Sequence, residues 1–171
     1  MIKAIFGLGN PGKEYEKTYH SVGQLFCAYM LAKHEHTKEK EMRNFSYSTA
    51  LVGGDELVII KQLVFMNDAG DAIGMALRKL SLKPDEIIII QDDSDIAFGK
   101  YKYSFDRSSA GHKGIDSVFA RLGTKKIKRI RIGIRKRPGK ALAFVLKKIS
   151  KDDLGVFENV FAEIEARLKT L

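Results

Sequence analysis

The sequence has one cysteine in 171 residues and no apolar run near the length of a membrane span. A transmembrane helix needs about 20 apolar residues in succession, so we expect no membrane partner. The apolar stretch over residues 1–6 is too short for the core of a signal peptide. Cys27 cannot form a disulfide within one chain and is expected to pack as a small hydrophobe. Together these features predict a cytoplasmic protein.

Linkers, repeats and two common kinds of catalytic motif are also missing. No proline- or serine-rich stretch divides the chain, so we expect a single domain over residues 1–171. The Gly-x-Ser-x-Gly motif of many serine hydrolases is absent. The four histidines and one cysteine lack the clustered spacing of a zinc site. A hydrolase of this composition would have to activate water with a side-chain base.

The apolar pattern alternates between strand-like and helix-like segments. Strands are predicted over residues 2–8, 87–90, 99–105 and 127–134, with a hairpin over 47–63 that turns at Gly53-Gly54-Asp55. Helices are predicted over 21–33, where Ser21 and Gln24 have capping-box spacing, over 68–80 and 115–122, and after Ser150. This order predicts an α/β fold, a three-layer sandwich whose mixed, mostly parallel twisted sheet is flanked by helices.

Five polar residues lie where these segments begin or end: Asn10, His20, Asn67, Asp92 and His112. Strand ends and loops are where α/β proteins place their chemistry. His20 is the central candidate because imidazole can accept a proton near neutral pH. A carboxylate at the end of the 87–90 strand, such as Asp92, would orient the His20 imidazole as a general base.

Each of these residues also has a structural interpretation. Asn10 could simply form a turn with Pro11, and Asn67 could cap the helix that starts at residue 68. The acids at positions 92, 93 and 95 could instead hold magnesium in a phosphate-ester enzyme. Residues 7–12 match a dinucleotide-binding pattern, but the next predicted helix starts only at residue 21, so we reject a nucleotide cofactor.

Positive charge is concentrated in one part of the chain. Residues 99–140 contain 14 Lys and Arg against two acids, a net charge of about +12, whereas the remainder carries about −3. A segregated cluster such as that over residues 125–137 is typical of phosphate binding. The sequence therefore favours a nucleic-acid partner over a merely solvated surface.

Five motifs in order resemble the bacterial peptidyl-tRNA hydrolase family over nearly the whole chain. They are Gly7-Leu-Gly-Asn-Pro-Gly12 with Tyr15, His20 and Gly23; Phe65-Met-Asn67 with Gly70; Asp92 to Asp95 with Gly99; Gly111-His-Lys-Gly114; and Arg129-Ile-Arg-Ile-Gly-Ile134. The resemblance implies hydrolysis of the ester that joins a peptide to the 3′ ribose of tRNA.

The resemblance also implies roles for individual residues. His20 would be the general base and Asp92 would hold and polarise it. Substrate would be bound by Asn10, Tyr15, Met66, Asn67, His112 and Lys113, and acceptor-stem phosphates by Lys102 and Arg131. No cofactor and no metal are expected, the partner is peptidyl-tRNA, and the protein is expected to be a monomer.

The sequence departs from the family pattern at several positions. Tyr19 and Ser21 replace the usual Arg and Asn around the histidine, and Ser104 replaces a second basic residue. The chain ends at Leu171, short of the C-terminal segment of longer members. Lys113 stands where the family has asparagine, and it brings a charge but no hydrogen-bond acceptor. Lys113 raises the alternative of a catalytically weak relative that only binds RNA.

Overall fold

The computed structural model describes residues 1–136 and 144–171, in which seven strands and four α-helices are found. The strands are β1 (Ala4–Gly7), β2 (Lys40–Glu41), β3 (Phe45–Val52), β4 (Asp55–Gln62), β5 (Ile87–Ala97), β6 (Tyr101–Ser104) and β7 (Lys128–Arg135). The helices are α1 (Val22–Lys33), α2 (Ala69–Lys79), α3 (Lys113–Leu122) and α4 (Lys151–Leu168).

All seven strands form one mixed sheet in the order β2-β3-β4-β1-β5-β7-β6. The four central strands β4, β1, β5 and β7 are parallel, and antiparallel pairs lie towards the two edges. The predicted hairpin is confirmed, since Val52 pairs with Asp55 across a two-residue turn. Gly53 and Gly54 make that turn possible because both have positive φ, which residues with a Cβ rarely adopt.

Helices cover both faces of the sheet, as the predicted three-layer sandwich requires. On one face α1 and α4 bury Phe26, Met30, Phe157 and Phe161, and on the other α2 and α3 bury residues such as Ile73. β5 has apolar side chains on both faces. Ile88 and Ile90 pack in the core under α1 and α4, whereas Ile87 and Ile89 pack in the core under α2 and α3. A strand apolar on both faces is typical of a central parallel strand.

Three local predictions need correction. β5 does not end at residue 90 but continues to Ala97, with an irregularity between Asp93 and Ala97. Ser21 precedes α1 but makes no side-chain capping bond, because a 3₁₀ turn over Tyr19–Ser21 leads into the helix. The two-residue edge strand β2 was not predicted, since its charged residues show no apolar pattern.

Ser150 caps α4 as predicted, its hydroxyl accepting a hydrogen bond from the backbone N–H of Asp153 at 3.2 Å. Within the described ranges, no helix combines the length and the apolar character that crossing a membrane would need.

Candidate active site

The first turn of α1 packs directly on the sheet beside β5. Gly23 makes this approach possible, because a Cβ at this position would overlap the backbone carbonyl of Ile90. The preceding 3₁₀ turn is held from the other side, where the backbone N–H of His20 donates to the carbonyl of Val145 at 2.8 Å. These contacts place His20 beside the residues that follow Ile90 in β5.

His20, Asp92 and His112 converge at the middle of β5. Nδ1 of His20 lies 2.9 Å from both carboxylate oxygens of Asp92, and Nε2 of His112 lies 3.0 Å from Oδ1 of Asp92. The two imidazole rings are 5.0 Å apart, centre to centre. The structure thus brings together a pair that the sequence could only suggest, and adds a second histidine to it.

The hydrogen bonds of the two histidines define where their protons lie. Nδ1 of His112 accepts from the backbone N–H of Ile115 at 3.4 Å and so caps α3, which leaves the ring proton on Nε2 to donate to Asp92. A carboxylate only accepts, so Nδ1 of His20 also donates to Asp92. The neutral His20 ring therefore keeps an unshared electron pair on Nε2.

Burial and charge shift the titration of His20 and Asp92 in opposite directions. Burial opposes the charged imidazolium, but the charge and hydrogen bond of Asp92 outweigh it and raise the pKa of His20 above its ordinary value of 6.5. Burial also favours a neutral Asp92, yet the two histidines hold the pKa of that carboxyl well below its usual range. Asp92 is thus a lasting negative charge behind His20.

A cavity of about 210 Å³ opens in front of this cluster. His20, Asp92, Asp93 and Ser94 line one side, and the loop over residues 109–113 lines the other. The His20 side chain is 17% exposed, whereas that of Asp92 is 4% exposed. Solvent therefore reaches the imidazole, while the carboxylate behind it is shielded.

The side chain of Asn10 has a structural role through its oxygen atom. Its side-chain oxygen accepts from the backbone N–H of Met66 at 2.9 Å, so it ties the turn after β1 to the turn before α2. Its NH₂ group makes no hydrogen bond to any residue that the structure describes. Met66 is buried and packs against Gly114, where a Cβ would also crowd the ring of His112. Asn10 and Met66 thus belong to one packed unit with the His112 loop.

Tyr15 and Asn67 are not among the described residues that line this cavity, whereas Lys113 is. Tyr15 packs edge to face on Phe65, with ring centres 5.9 Å apart, and Phe65 is itself exposed. Asn67 is exposed within a 3₁₀ turn and does not cap α2, because Asp68 is the residue before the helix. Lys113 is exposed at the first position of α3 and lines the cavity.

The predicted phosphate contacts lie on β6 and β7. Lys102 and Arg131 are paired directly across these strands, so their side chains share one face of the sheet. Lys102 is exposed, whereas Arg131 donates to Asp93 at 2.7 Å and to Ser104 at 3.2 Å. Residues 137–140 of the predicted basic segment lie outside the described residues.

The acids at positions 92, 93 and 95 do not form the carboxylate cluster of the magnesium alternative. Asp92 faces the histidines, Asp93 binds Arg131, and Asp95 is exposed. Over the described ranges, the one group of His, Cys, Asp or Glu side chains that could share a metal ion is His20, Asp92 and His112. Their ligand atoms lie within 4.8 Å of one another.

Two buried polar residues around the site had no predicted role. Arg129 on β7 donates to the side chain of Gln91, and Gln91 donates to the backbone carbonyl of Asp92. Arg129 stood in a recognised motif, but nothing in the sequence showed that it is buried. Only the pairing of β5 with β7 brings these two side chains together.

An imidazole held by a buried carboxylate beside an open cavity is an arrangement typical of enzymes with a general base, here carried on an α/β sandwich. Among the described residues, His20 makes no side-chain bond to a serine or cysteine nucleophile.

Comparison with known proteins identifies the family. The peptidyl-tRNA hydrolase family model matches residues 4–171. A peptidyl-tRNA hydrolase of Mycoplasma mycoides is 34% identical over 95% of this chain and 88% of its own length. The one from Aquifex aeolicus is 36% identical over 93% of this chain and 84% of its own. The chain belongs to the peptidyl-tRNA hydrolase family, as the motifs predicted.

The fold agrees with this assignment. The crystal structure of peptidyl-tRNA hydrolase from Acinetobacter baumannii superimposes with a TM-score of 0.89 at 24% identity. The match covers 99% of this chain and 88% of that one.

Proposed function

We propose that this protein hydrolyses the ester bond between the peptide and the 3′ ribose of peptidyl-tRNA, with His20 as the general base. The observation that carries the proposal is the Nδ1 of His20 bound to Asp92 at 2.9 Å, which leaves Nε2 free beside the 210 Å³ cavity. The family supplies the substrate class, since its curated relatives are named peptidyl-tRNA hydrolases.

The reaction uses one water and no covalent enzyme intermediate. Nε2 of His20 takes a proton from water as the water oxygen attacks the ester carbonyl. The resulting tetrahedral intermediate collapses, the bond from the carbonyl carbon to the 3′ oxygen breaks, and His20 returns the proton to that oxygen. Asp92 stabilises the transient imidazolium because it remains ionised.

The surrounding residues bind the peptide and the terminal nucleotide. The NH₂ groups of Asn10 and Asn67 donate to the reacting ester and its developing oxyanion. The substrate lies against His112 and Lys113, which line the cavity, and extends from there to Met66 and Tyr15. His112 also donates to Asp92 and so keeps that carboxylate in place.

Lys102 and Arg131 bind phosphates of the acceptor stem. Lys102 supplies an exposed charge, and Arg131, whose Nε is held by Asp93, supplies its remaining N–H groups from a fixed position. We propose that residues 1–171 act as one domain and as a monomer on this RNA end, without cofactor or metal.

A second candidate is a catalytically weak RNA-binding relative. Lys113 favours it, because a flexible cation at the cavity replaces the amide that the family pattern leads us to expect. The intact contact between His20 and Asp92 favours hydrolysis.

Turnover of a peptidyl-tRNA analogue tests the proposal. We expect the wild-type protein to release free tRNA, His20→Ala to lose this activity, and His36→Ala to retain it, since His36 is exposed and its ring bonds to the backbone carbonyl of His34. Activity should persist in EDTA. Turnover that survives His20→Ala would refute the mechanism, and loss in EDTA would favour a metal enzyme. Absence of turnover in both the wild type and Lys113→Asn, with tight salt-sensitive RNA binding, would favour the second candidate.

A further inference from the structure

We propose that Arg129 is a positioning residue that sets the separation of Asp92 and His112 from inside the sheet. Only the expected effect on turnover depends on the function proposed above; the positioning role itself does not. Arg129 does not line the cavity, but its side chain bonds to Gln91 and Ser108, which directly precede the lining residues Asp92 and Ser109 in the chain.

Arg129 is a fully buried cation without a carboxylate partner among the described residues. It is 0% exposed, and its hydrogen bonds go to the side-chain oxygen of Gln91 at 3.1 Å and to the carbonyls of Arg107 and Ser108 at 3.0 and 2.8 Å. Its guanidinium lies 5.4 Å from the ring centre of Phe119. Well-packed apolar residues commonly replace buried ions without loss of stability, so the charge points to a role beyond packing.

The loop that Arg129 holds has a strained backbone. Asp106 and Ala110 have φ values of +51° and +54°, which residues with a Cβ rarely adopt. Arg107 and Ser108, whose carbonyls Arg129 binds, lie between these two positions. Such a conformation persists only where surrounding contacts fix it. The two bonds from Arg129 are therefore well placed to hold this loop in shape.

The loop is hydrogen-bonded to His112 and so helps to fix the position of that residue. The carbonyl of Ser109 accepts from the backbone N–H of His112 at 3.2 Å, and the Ser109 hydroxyl accepts from Gly111 N–H at 3.2 Å. Within β5, Gln91 accepts from Arg129 and donates to the carbonyl of Asp92 at 3.2 Å. One guanidinium thus fixes both ends of the 3.0 Å bond between His112 and Asp92.

Loss of the bond between His112 and Asp92 would change the protonation of His20, which a loss of stability alone would not do. Within residues 1–136 and 144–171, the charged or titratable groups that line the cavity with His20 are Asp92 and Asp93 of β5, and His112 and Lys113 at the start of α3. When His112 moves away, Asp92 loses one donor and interacts more strongly with the His20 imidazolium. The protonation midpoint of His20 then rises.

The test compares Arg129→Met and Arg129→Lys with the core control Ile73→Val. Histidine titrations by NMR and pH profiles of kcat/KM are recorded for each. We expect Arg129→Met to raise the protonation midpoint of His20, to move the acid limb of the profile upwards, and to lower kcat/KM by on the order of 10- to 100-fold. Arg129→Lys should recover part of this loss, because its single amine cannot reach all three acceptors. Ile73→Val should lower thermal stability without moving the titration.

If Arg129→Met does not fold, Gln91→Met tests the same link, since it removes one acceptor and keeps the arginine. A smaller upward shift of the His20 midpoint is then expected. Unchanged His20 and His112 titrations in the folded variants would show that Arg129 only packs. The NMR readout does not need turnover, so it separates failure of this inference from failure of the proposed function.

Discussion

The Asp92→Asn substitution is the sharpest test of the hydrogen-bond arrangement behind His20. Both ring N–H groups, from His20 Nδ1 and His112 Nε2, point at this carboxylate. An amide of the same shape removes the negative charge. With its oxygen at the Oδ1 position, it places an NH₂ group 2.9 Å from Nδ1 of His20, where two donors face each other. The amide oxygen at Oδ1 also lies 2.9 Å from Nδ1 and can still accept, but the NH₂ group beside it repels the Nδ1–H. This repulsion favours a turned His20 ring or the tautomer with its proton on Nε2.

Either response removes the base from its working position. General-base catalysis contributes about 10²- to 10⁴-fold in rate, which at 1.36 kcal/mol per factor of ten is about 3–5 kcal/mol of transition-state stabilisation. We expect the substitution to lower kcat by about 10²- to 10⁴-fold and to change KM less. The assay is single-turnover release of tRNA from peptidyl-tRNA at saturating enzyme.

The pH profile supplies a second readout. Asp92 raises the pKa of His20, and the base works only when unprotonated, so wild-type activity should fall as pH drops through a midpoint above 6.5. In Asp92→Asn the midpoint should move to lower pH. Asp95→Asn is the matched control, since Asp95 is exposed on the same strand. An Asp92→Asn variant with full kcat, or an unmoved midpoint, would refute the reasoning.

Three further predictions concern binding and stability. Lys102→Met should weaken tRNA binding and lower the slope of log K against log salt by about one, measured by titration at several salt concentrations; an unchanged slope would remove Lys102 from the interface. Lys113→Asn should raise stability by a few tenths of a kcal/mol, because it removes a cation from the N-terminus of α3, and a lower melting temperature would contradict this. Ser150→Ala should lower the free energy of unfolding by about 1 kcal/mol in urea titrations, since the hydroxyl caps α4; no change would mean that solvent replaces the cap.

The sequence predicted those features that depend on local pattern. The hairpin was visible because Gly53 and Gly54 meet the backbone demands of a two-residue turn, and α4 because its apolar residues keep helical spacing after a capping serine. The sheet order was not predictable in the same way, because strand pairing brings together residues far apart in the chain. The bond between Arg129 and Gln91 spans 38 positions and depends wholly on that pairing.

The extension of β5 explains why two consecutive acids serve different purposes. Side chains alternate between the faces of a strand, so Asp92 faces the two histidines, and Asp93 binds Arg131 of the neighbouring strand. Read as a loop after residue 90, the same acids looked like ligands of one metal ion. Read as a strand, one acid belongs to the proposed hydrolytic centre and the other binds Arg131 beside Lys102. β5 therefore carries both the acid that binds the proposed base His20 and the acid that binds Arg131, a proposed phosphate contact.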